Sequence, residues 1–534
     1  MNFDLPLISA EANPDFIDAA TCSQWLQTLP LINVGPSHGR LLGQLEELNC
    51  FDMLPSERIK ILELLREPIT FVQTEHAKKF SAKPVPLSRQ EREIFNNVLA
   101  LWDAYARGWE RCLEALNASN ADLRSSAALI CQRALWAVNQ RLLEHFKAYQ
   151  KFSDGEWKRL HALYSFAEQR GLVDQEVTHP AYKGEVETTC VDTHAQILLL
   201  ELANPNEQTP RHQMLTARWV ERWARKVSLS DDAPADSGIT PLNIDLESGS
   251  GASRTPRQGP SVRYLHVDEV GKTVRKRVAM LRNGDSPESL GLGTDVPAPL
   301  AASIMTMLYH RWCEDRAARQ QVRRSNAKQA EICHGIAAMH FHLTGQAFKQ
   351  PGDVKELTQK QQNEIATFGR ISSREADTFG AAQTAALERW TLCDESLTGF
   401  RLERPEGSGE SRYLHNQLLA IRPSDAKAFM LCTVRWLAVS EDYLLSLGTL
   451  LVPGVPRGIA VRPTGLNAMA ERYVPALMLP AVAALHSPPS LILPSGWFRP
   501  KRIIEVFTDT GQPMLLSGVI DRGADFERCT MEPA

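Results

Sequence analysis

The hydrophobic pattern of this chain changes its period part-way along, and that change decides which folds are open to it. Up to about residue 228, apolar residues recur every three or four positions, as on one face of a helix. After about residue 316 they form short runs separated by glycine, proline and polar turns. Amphipathic helices joined by short turns indicate an antiparallel bundle, and closely spaced short strands indicate a small antiparallel barrel. We therefore predict an α+β multidomain protein.

Four segments follow from where the pattern changes. Serine, glycine, proline and aspartate are concentrated near residues 229–260, which indicates a boundary there. The predicted segments are a helical bundle at 1–228, a small mixed α/β region with a connecting helix at 229–315, an antiparallel β-barrel at 316–452 with an insertion at 351–386, and a C-terminal β unit at 453–534. The second β unit is expected to pack on the first.

Several helices have recognisable start and stop signals. Ser88 and Glu91 have the spacing of a capping box, and Trp102 and Trp109 follow at helical spacing. We expect these aromatic residues to lie in the core of the bundle. Pro68 is predicted to end a short helix, because proline lacks the backbone N–H that the helix interior needs.

Charge and composition exclude several classes of protein. The 534 residues have a formal net charge of -4, so we expect no binding to a nucleic-acid polymer. The acidic N-terminus is unlike a signal peptide, and prolines interrupt the apolar stretch 477–493, so we expect no membrane insertion. The ten cysteines are scattered, which is typical of reduced thiols in a cytoplasmic protein.

The most informative motif is the D-x-S-x-x-G turn formed by Asp394 to Gly399, between two strand-like runs. A carboxylate such as Asp394 can accept hydrogen bonds from the N1–H and N2–H₂ donors of guanine. Ser396 is small and can hydrogen-bond a phosphate or a base edge. Gly399 is expected to permit a positive φ and a close approach of ligand. The turn therefore predicts half of a binding site for a guanine nucleotide.

An arginine-rich segment lies upstream and supplies the other half of the predicted site. Arg319 and Arg323 are four positions apart, and Arg316 or Arg324 could replace one of them. A guanidinium fork matches the O6 and N7 acceptors of guanine and also clamps phosphate. The sequence from 330 to 343 is apolar enough to predict that a strand follows these arginines.

Together these motifs resemble the PilZ domain, a receptor for bacterial cyclic di-GMP. That family has R-x-x-x-R before its first barrel strand and [D/N]-x-S-x-x-G on the barrel, and the resemblance here covers about 316–452. It implies that Arg319 and Arg323 grip the guanines and phosphates, and that Asp394 accepts from a guanine edge. It further implies a second-messenger receptor with no cofactor, which acts on an unknown protein partner through the helical N-terminal half.

Four alternatives stand against this function. His340 and His342 would share a face of the predicted strand, a spacing that a metal could use, but packed or surface histidines are far commoner. No hydrolase motif is present, so we expect no enzyme. An interaction scaffold whose barrel binds no ligand is the main alternative. A barrel for single-stranded nucleic acid is disfavoured by the charge and by few aromatic residues near the arginines.

Overall fold

The computed structural model describes seven ranges of the chain, namely 3–118, 121–181, 186–234, 239–315, 324–351, 387–464 and 472–534. The chain divides into two compact units, Met1–Gln320 with Val439–Glu441, and Gln321–Ala438 with Asp442–Ala534. The predicted insertion at 351–386 lies outside the described residues apart from its first position. Among the described helices, none combines the length and apolar content needed to span a bilayer.

The first unit is mainly helical. Its helices are α1 Ala19–Gln27, α2 Val34–Cys50, α3 Pro55–Ala77, α4 Arg89–Asn117, α5 Ala127–Lys147, α6 Asp154–Glu168, α7 Cys190–Leu202, α8 Pro210–Trp223, α9 Asp268–Arg282 and α10 Ala298–Cys313. Two short strands, β1 Val177–Thr178 and β2 Glu187–Thr188, form a small pair. The strands β3 Ser228–Ser230, β4 Asn243–Asp245 and β5 Val262–His266 form an antiparallel sheet in the order β3-β5-β4.

The predicted capping box at the start of α4 is confirmed. The Ser88 Oγ accepts from the Glu91 backbone N–H at 3.3 Å, and the Glu91 carboxylate accepts from the Ser88 N–H at 2.8 Å. The aromatic residues on this helix are buried as expected, and the rings of Trp102 and Trp136 meet edge to face with centroids 5.6 Å apart. Packing of such large apolar faces provides most of the stability of a helix of this kind.

The predicted helix end at Pro68 is wrong, because α3 continues through it to Ala77. The proline removes the N–H that would bond the carbonyl of Leu64, but Leu64 is 38% exposed, so its side of the helix can reach water. On the opposite face Leu65, Ile69 and Val72 are fully buried. Their packing holds the helix together across the missing bond.

The second unit contains two closed antiparallel barrels and one helix. The first barrel consists of β6 Arg324–His334, β7 Glu388–Ser396, β8 Gly399–Pro405, β9 Leu418–Pro423, β10 Met430–Val439 and β11 Leu444–Leu451. The helix is α11 Ile336–Thr344. The second barrel consists of β12 Arg457–Pro463, β13 Val474–Leu479, β14 Ser490–Pro494, β15 Ile503–Phe507, β16 Gly511–Arg522 and β17 Phe526–Pro533.

Each barrel closes with six strands. Their orders are β10-β11-β8-β7-β6-β9 and β12-β13-β14-β17-β16-β15. Closure leaves no unpaired sheet edge among the described strands of either barrel. The α+β architecture predicted from the sequence, with helices first and β units last, is confirmed.

The prediction of one strand over 330–343 is wrong. Strand β6 begins earlier and ends at His334, and Gly335, with φ of 82°, turns the chain into α11. His340 and His342 therefore lie on a helix, where positions two apart do not share a face. No group of three or more metal-binding side chains occurs within the described ranges.

The last strand of the second barrel was missed by the sequence analysis. Phe526–Pro533, at the end of the predicted C-terminal β unit, is a strand paired on both sides. The usual alternation is hidden because Glu527 and Arg528 are also buried. The Arg528 Nε donates to Ser490 Oγ at 2.9 Å, so its charged group is accommodated by hydrogen bonds.

The two barrels and α11 share one apolar core. It combines residues of the first barrel, the helix and the second barrel: Cys333, Met339, Leu418, Ala420, Phe429, Leu431, Leu477, Leu479, Ile492 and Phe526. A hydrogen bond also joins the two β units, from the Leu418 N–H to the Asp525 carboxylate at 3.0 Å. The second β unit thus packs on the first, as the sequence led us to expect.

Candidate functional site

The predicted turn is the hairpin that joins β7 and β8. Ser396 pairs with Gly399, so only Leu397 and Thr398 lie at the tip, and Leu397 is 88% exposed. The Ser396 Oγ donates to the Gly399 carbonyl at 3.2 Å and accepts from the Thr398 N–H at 3.4 Å. The serine of the motif therefore has a structural role in closing the turn.

Gly399 is required for a reason different from the one predicted. Its φ is not positive, so the prediction of a left-handed turn residue is wrong. Instead, a Cβ built at Gly399 would lie 1.8 Å from the carbonyl oxygen of Thr449 on β11. The Thr449 Oγ1 also accepts from the Phe400 N–H at 3.2 Å. Backbone crowding between β8 and β11 excludes any side chain at this position.

Strand β6 brings the end of the arginine segment beside this hairpin. Arg324 pairs with Glu395, and Ser325 pairs with Asp394, although about 70 positions of sequence separate the two strands at this point. A bulge between Ser325 and Lys328 follows, and bulges commonly redirect side chains near functional sites. The chain therefore passes from the arginine-rich segment directly onto the strand next to Asp394.

The structure describes only one of the predicted arginines, and that one in part. Arg319 and Arg323, together with the alternative Arg316, lie outside the described residues. Arg324 is the first residue of β6, and only its backbone is described. Of the six predicted site residues, the structure thus brings together the backbone of Arg324 and the hairpin residues Asp394, Ser396 and Gly399.

Asp394 lies on the outer face of the barrel with charged neighbours that the sequence analysis did not identify. Its partner on β8 is Arg401, and directly paired residues lie on the same face of an antiparallel sheet. Arg401 forms an ion pair with Glu403 at 2.5 Å, and Ser446 Oγ donates to the same carboxylate oxygen at 3.0 Å. The alternation of polar residues with Phe400 and Leu402 could have revealed this outward row.

Two further features set the charge near Asp394. Lys328 Nζ lies 3.5 Å from Glu395 and 2.5 Å from Asp425, so this lysine brings positive charge to the same end of the barrel. Burial, assisted by Glu403, raises the pKa of the Cys393 thiol to about 11. The thiol is therefore neutral at physiological pH and adds no negative charge.

Inside the barrel, the same two strands carry a buried ion pair. Arg404 on β8 is 2% exposed and lies 3.5 Å from the Glu388 carboxylate of β7. Its guanidinium carbon is 5.0 Å from the centroid of the Trp390 ring. The Tyr413 hydroxyl donates to Glu388 at 2.6 Å, and the Ser411 N–H donates to the other carboxylate oxygen at 2.9 Å. This network fixes β7 to β8 below the candidate site.

The network also sets the protonation of its carboxylate. Burial alone would raise the pKa of Glu388, but hydrogen bonds from Tyr413 and Ser411 and the charge of Arg404 outweigh it and hold that pKa below its ordinary value. The sequence contained a signal for the pair, since Phe400, Leu402 and Arg404 alternate in one inward-facing row. An arginine in such a row requires a buried partner.

Fold and site define a class of protein: a helical N-terminal unit followed by tandem six-stranded β-barrels, the first of which presents a polar hairpin beside a strand that begins with arginine. Two family models match segments of the chain. Residues 20–235 match the N-terminal domain of the cyclic-di-GMP receptor FimW, and residues 459–533 match the FimW C-terminal β-barrel domain. The two matched segments lie on either side of the first barrel in the sequence.

A relative from Pseudomonas aeruginosa shows similarity over nearly the whole length of the chain. The cyclic-di-GMP receptor FimW of Pseudomonas aeruginosa (strain PAO1) is 23% identical over 531 residues. The alignment covers 91% of this chain and 85% of the relative. The similarity therefore extends across the first barrel, which lies between the segments that the two family models match.

Proposed function

We propose that this protein is a receptor for cyclic di-GMP and that the ligand binds the outer face of the first barrel. The observation that carries the proposal is the pairing of Arg324 with Glu395 and of Ser325 with Asp394. It connects the arginine segment to the D-x-S-x-x-G hairpin despite their distance in sequence. The name of the Pseudomonas aeruginosa relative supports the choice of ligand. The first barrel would then be PilZ-like, as the motifs suggest.

The residues have the chemistry that this ligand needs. Arg319, Arg323 and Arg324 would clamp guanine edges and phosphates with bidentate forks, each worth about 1–3 kcal/mol. Asp394 would accept from the N1–H and N2–H₂ donors of a guanine. Ser396 and Gly399 would contribute by holding the hairpin in shape, through the hydroxyl bonds and the close backbone approach described above.

The function we propose is binding that is coupled to a protein partner rather than catalysis. Binding of the ligand to the arginine segment would favour one arrangement of the chain, and a partner that prefers this arrangement would respond to the second messenger. We place the protein in the cytoplasm. All ten cysteines are free, which agrees with a reducing compartment.

Calorimetric titration with cyclic di-GMP tests the proposal. We expect saturable binding by the wild type and a loss of about five- to 150-fold in affinity for Arg323→Ala, the equivalent of one guanine fork. Arg422→Ala is a matched control, because Arg422 forms an ion pair with Glu331 elsewhere on the same barrel. Equal affinities of wild type and Arg323→Ala would refute the site. A wild type that binds no ligand would refute the function and favour the scaffold.

A further inference from the structure

A cation outside the predicted motifs lies opposite Asp394. Arg401 on β8 pairs directly with Asp394 on β7, so the two side chains leave the barrel on the same face. We propose that Arg401 is an additional ligand-contacting residue of the cyclic dinucleotide site and that Glu403 holds it until the ligand binds. This inference rests on the proposed function and names a specificity-determining residue within it.

The contacts of Arg401 suit such a role. Its Nη2 and Nε lie 2.5 Å and 3.2 Å from one and the same oxygen, Oε1 of Glu403. A guanidinium has five N–H donors, so most of them remain available for a phosphate or for the O6 and N7 atoms of guanine. The side chain is 41% exposed, and ion pairs at this exposure are weak enough to be exchanged for a ligand.

Glu403 is held more firmly than its partner. Only 17% of its side chain is exposed, and Ser446 donates to its Oε1 at 3.0 Å from the neighbouring strand. The carboxylate can therefore stay in place when the arginine leaves it. Glu403 also lowers the net positive charge of the site, which weakens attraction for the two phosphates of the ligand.

Two other described cations on this barrel, Lys328 and Arg422, are less suitably placed. Lys328 lies between Asp425 and Glu395, at 2.5 Å and 3.5 Å. Arg422 pairs with Glu331 and stacks over the Phe429 ring at 4.6 Å, near the core shared by the barrels. Arg401 combines partial exposure, an exchangeable partner and direct pairing with Asp394.

The proposal predicts effects of opposite sign for the two members of the pair. In calorimetric titrations with cyclic di-GMP, Arg401→Ala should weaken binding at least tenfold, because it removes a contact. Glu403→Gln should strengthen binding about threefold, because the arginine is released and the site becomes more positive. Arg401→Lys should recover only part of the loss, since a lysine keeps the charge without the fork. Arg422→Ala should bind like the wild type.

A purely structural role for the pair predicts a different pattern. If the ion pair only stabilised the hairpin, Arg401→Ala and Glu403→Gln would weaken binding together, and that result would overturn the proposal. Wild-type affinity in Arg401→Ala would overturn it as well, while leaving the receptor function intact. Absence of binding by the wild type would instead show that the receptor function itself is wrong. Thermal unfolding of each variant separates lost binding from lost folding.

The dependence of binding on salt provides a second readout. Each phosphate contact by a cation makes affinity fall more steeply as salt rises. Arg401→Ala should therefore flatten the salt dependence relative to the wild type and to Arg422→Ala. An unchanged slope would contradict a direct contact between Arg401 and the ligand.

Discussion

The two barrels have the same number of strands, and one arginine–glutamate pair in each lies on the opposite side of the wall from its counterpart. In the first barrel, Arg404 and Glu388 lie inside, with side chains 2% and 11% exposed. In the second, Arg462 and Glu505 lie 2.7 Å apart on the outside, with side chains 23% and 24% exposed. Both arginines also lie over aromatic rings, so the chemistry is similar and only the burial differs.

The comparison shows how burial changes the role of an ion pair. A buried pair gains little net free energy, but each partner depends strongly on the other, which can fix one strand register. An exposed pair contributes little and adapts easily. The rigid pair lies below the candidate ligand face of the first barrel, and the adaptable pair lies on the barrel to which no ligand site is assigned here.

The largest expected effect is the loss of the buried pair. Arg404→Leu leaves the Glu388 carboxylate buried without its cation, and we expect a loss of about 3–5 kcal/mol in the free energy of unfolding. Arg462→Leu on the second barrel should cost about 1 kcal/mol or less, because its partner remains close to water. Urea unfolding of both variants measures the difference. Equal losses would show that burial does not distinguish the two pairs.

An intermediate effect is expected from two glycines on β-hairpins. A Cβ at Gly399 would meet the Thr449 carbonyl at 1.8 Å, whereas a Cβ at Gly511 would meet the Glu505 carboxylate oxygen at 2.1 Å. Backbone cannot move aside as a flexible side chain can, so Gly399→Ala should destabilise by about 2–3 kcal/mol and Gly511→Ala by clearly less. Melting temperatures provide the test, and a larger loss for Gly511→Ala would contradict the steric argument.

The smallest effect is a dependence of stability on pH that has opposite signs at two partly buried carboxylates. The pKa of Glu388 is below its ordinary value of 4.5, so the stability it contributes is present above pH 4.5 and lost as pH falls through the lowered value. Burial raises the pKa of Asp525 above 3.8, so its contribution instead declines as pH rises through that raised value.

Variants that cannot titrate isolate the two contributions. Glu388→Gln should flatten the fall in stability below pH 4.5, and Asp525→Asn should remove a decline that begins above pH 3.8. Urea midpoints measured across this range test both. Curves parallel to the wild type in either variant would show that the carboxylate does not control that part of the dependence.

Local signals in the sequence predicted much of the architecture. The capping box at Ser88 and the change from a helical to a strand-like period depend on residues close in sequence, and both are found in the fold. The predictions that were wrong or missing concern residues whose structure depends on contacts distant in sequence. Pro68 is tolerated because of the packing around it, and β17 was hidden because its polar residues have buried partners.

The candidate site was predictable only in part for the same reason. The D-x-S-x-x-G motif identified the hairpin, since its residues are contiguous. The reason for Gly399 was not visible, because Thr449 is distant in sequence. Arg401 was also missed, because its significance comes from pairing with Asp394 in a register that a bulge shifts by one residue.

The apolar core that Leu418, Phe429, Leu477 and Phe526 help to form has a practical consequence for anyone who wishes to borrow the first barrel as a biosensor module. If the two barrels were separated, each would expose an apolar surface to solvent and tend to aggregate. The two should melt in one cooperative transition rather than two. An engineered protein that uses the first barrel should therefore contain both barrels and α11 as one unit.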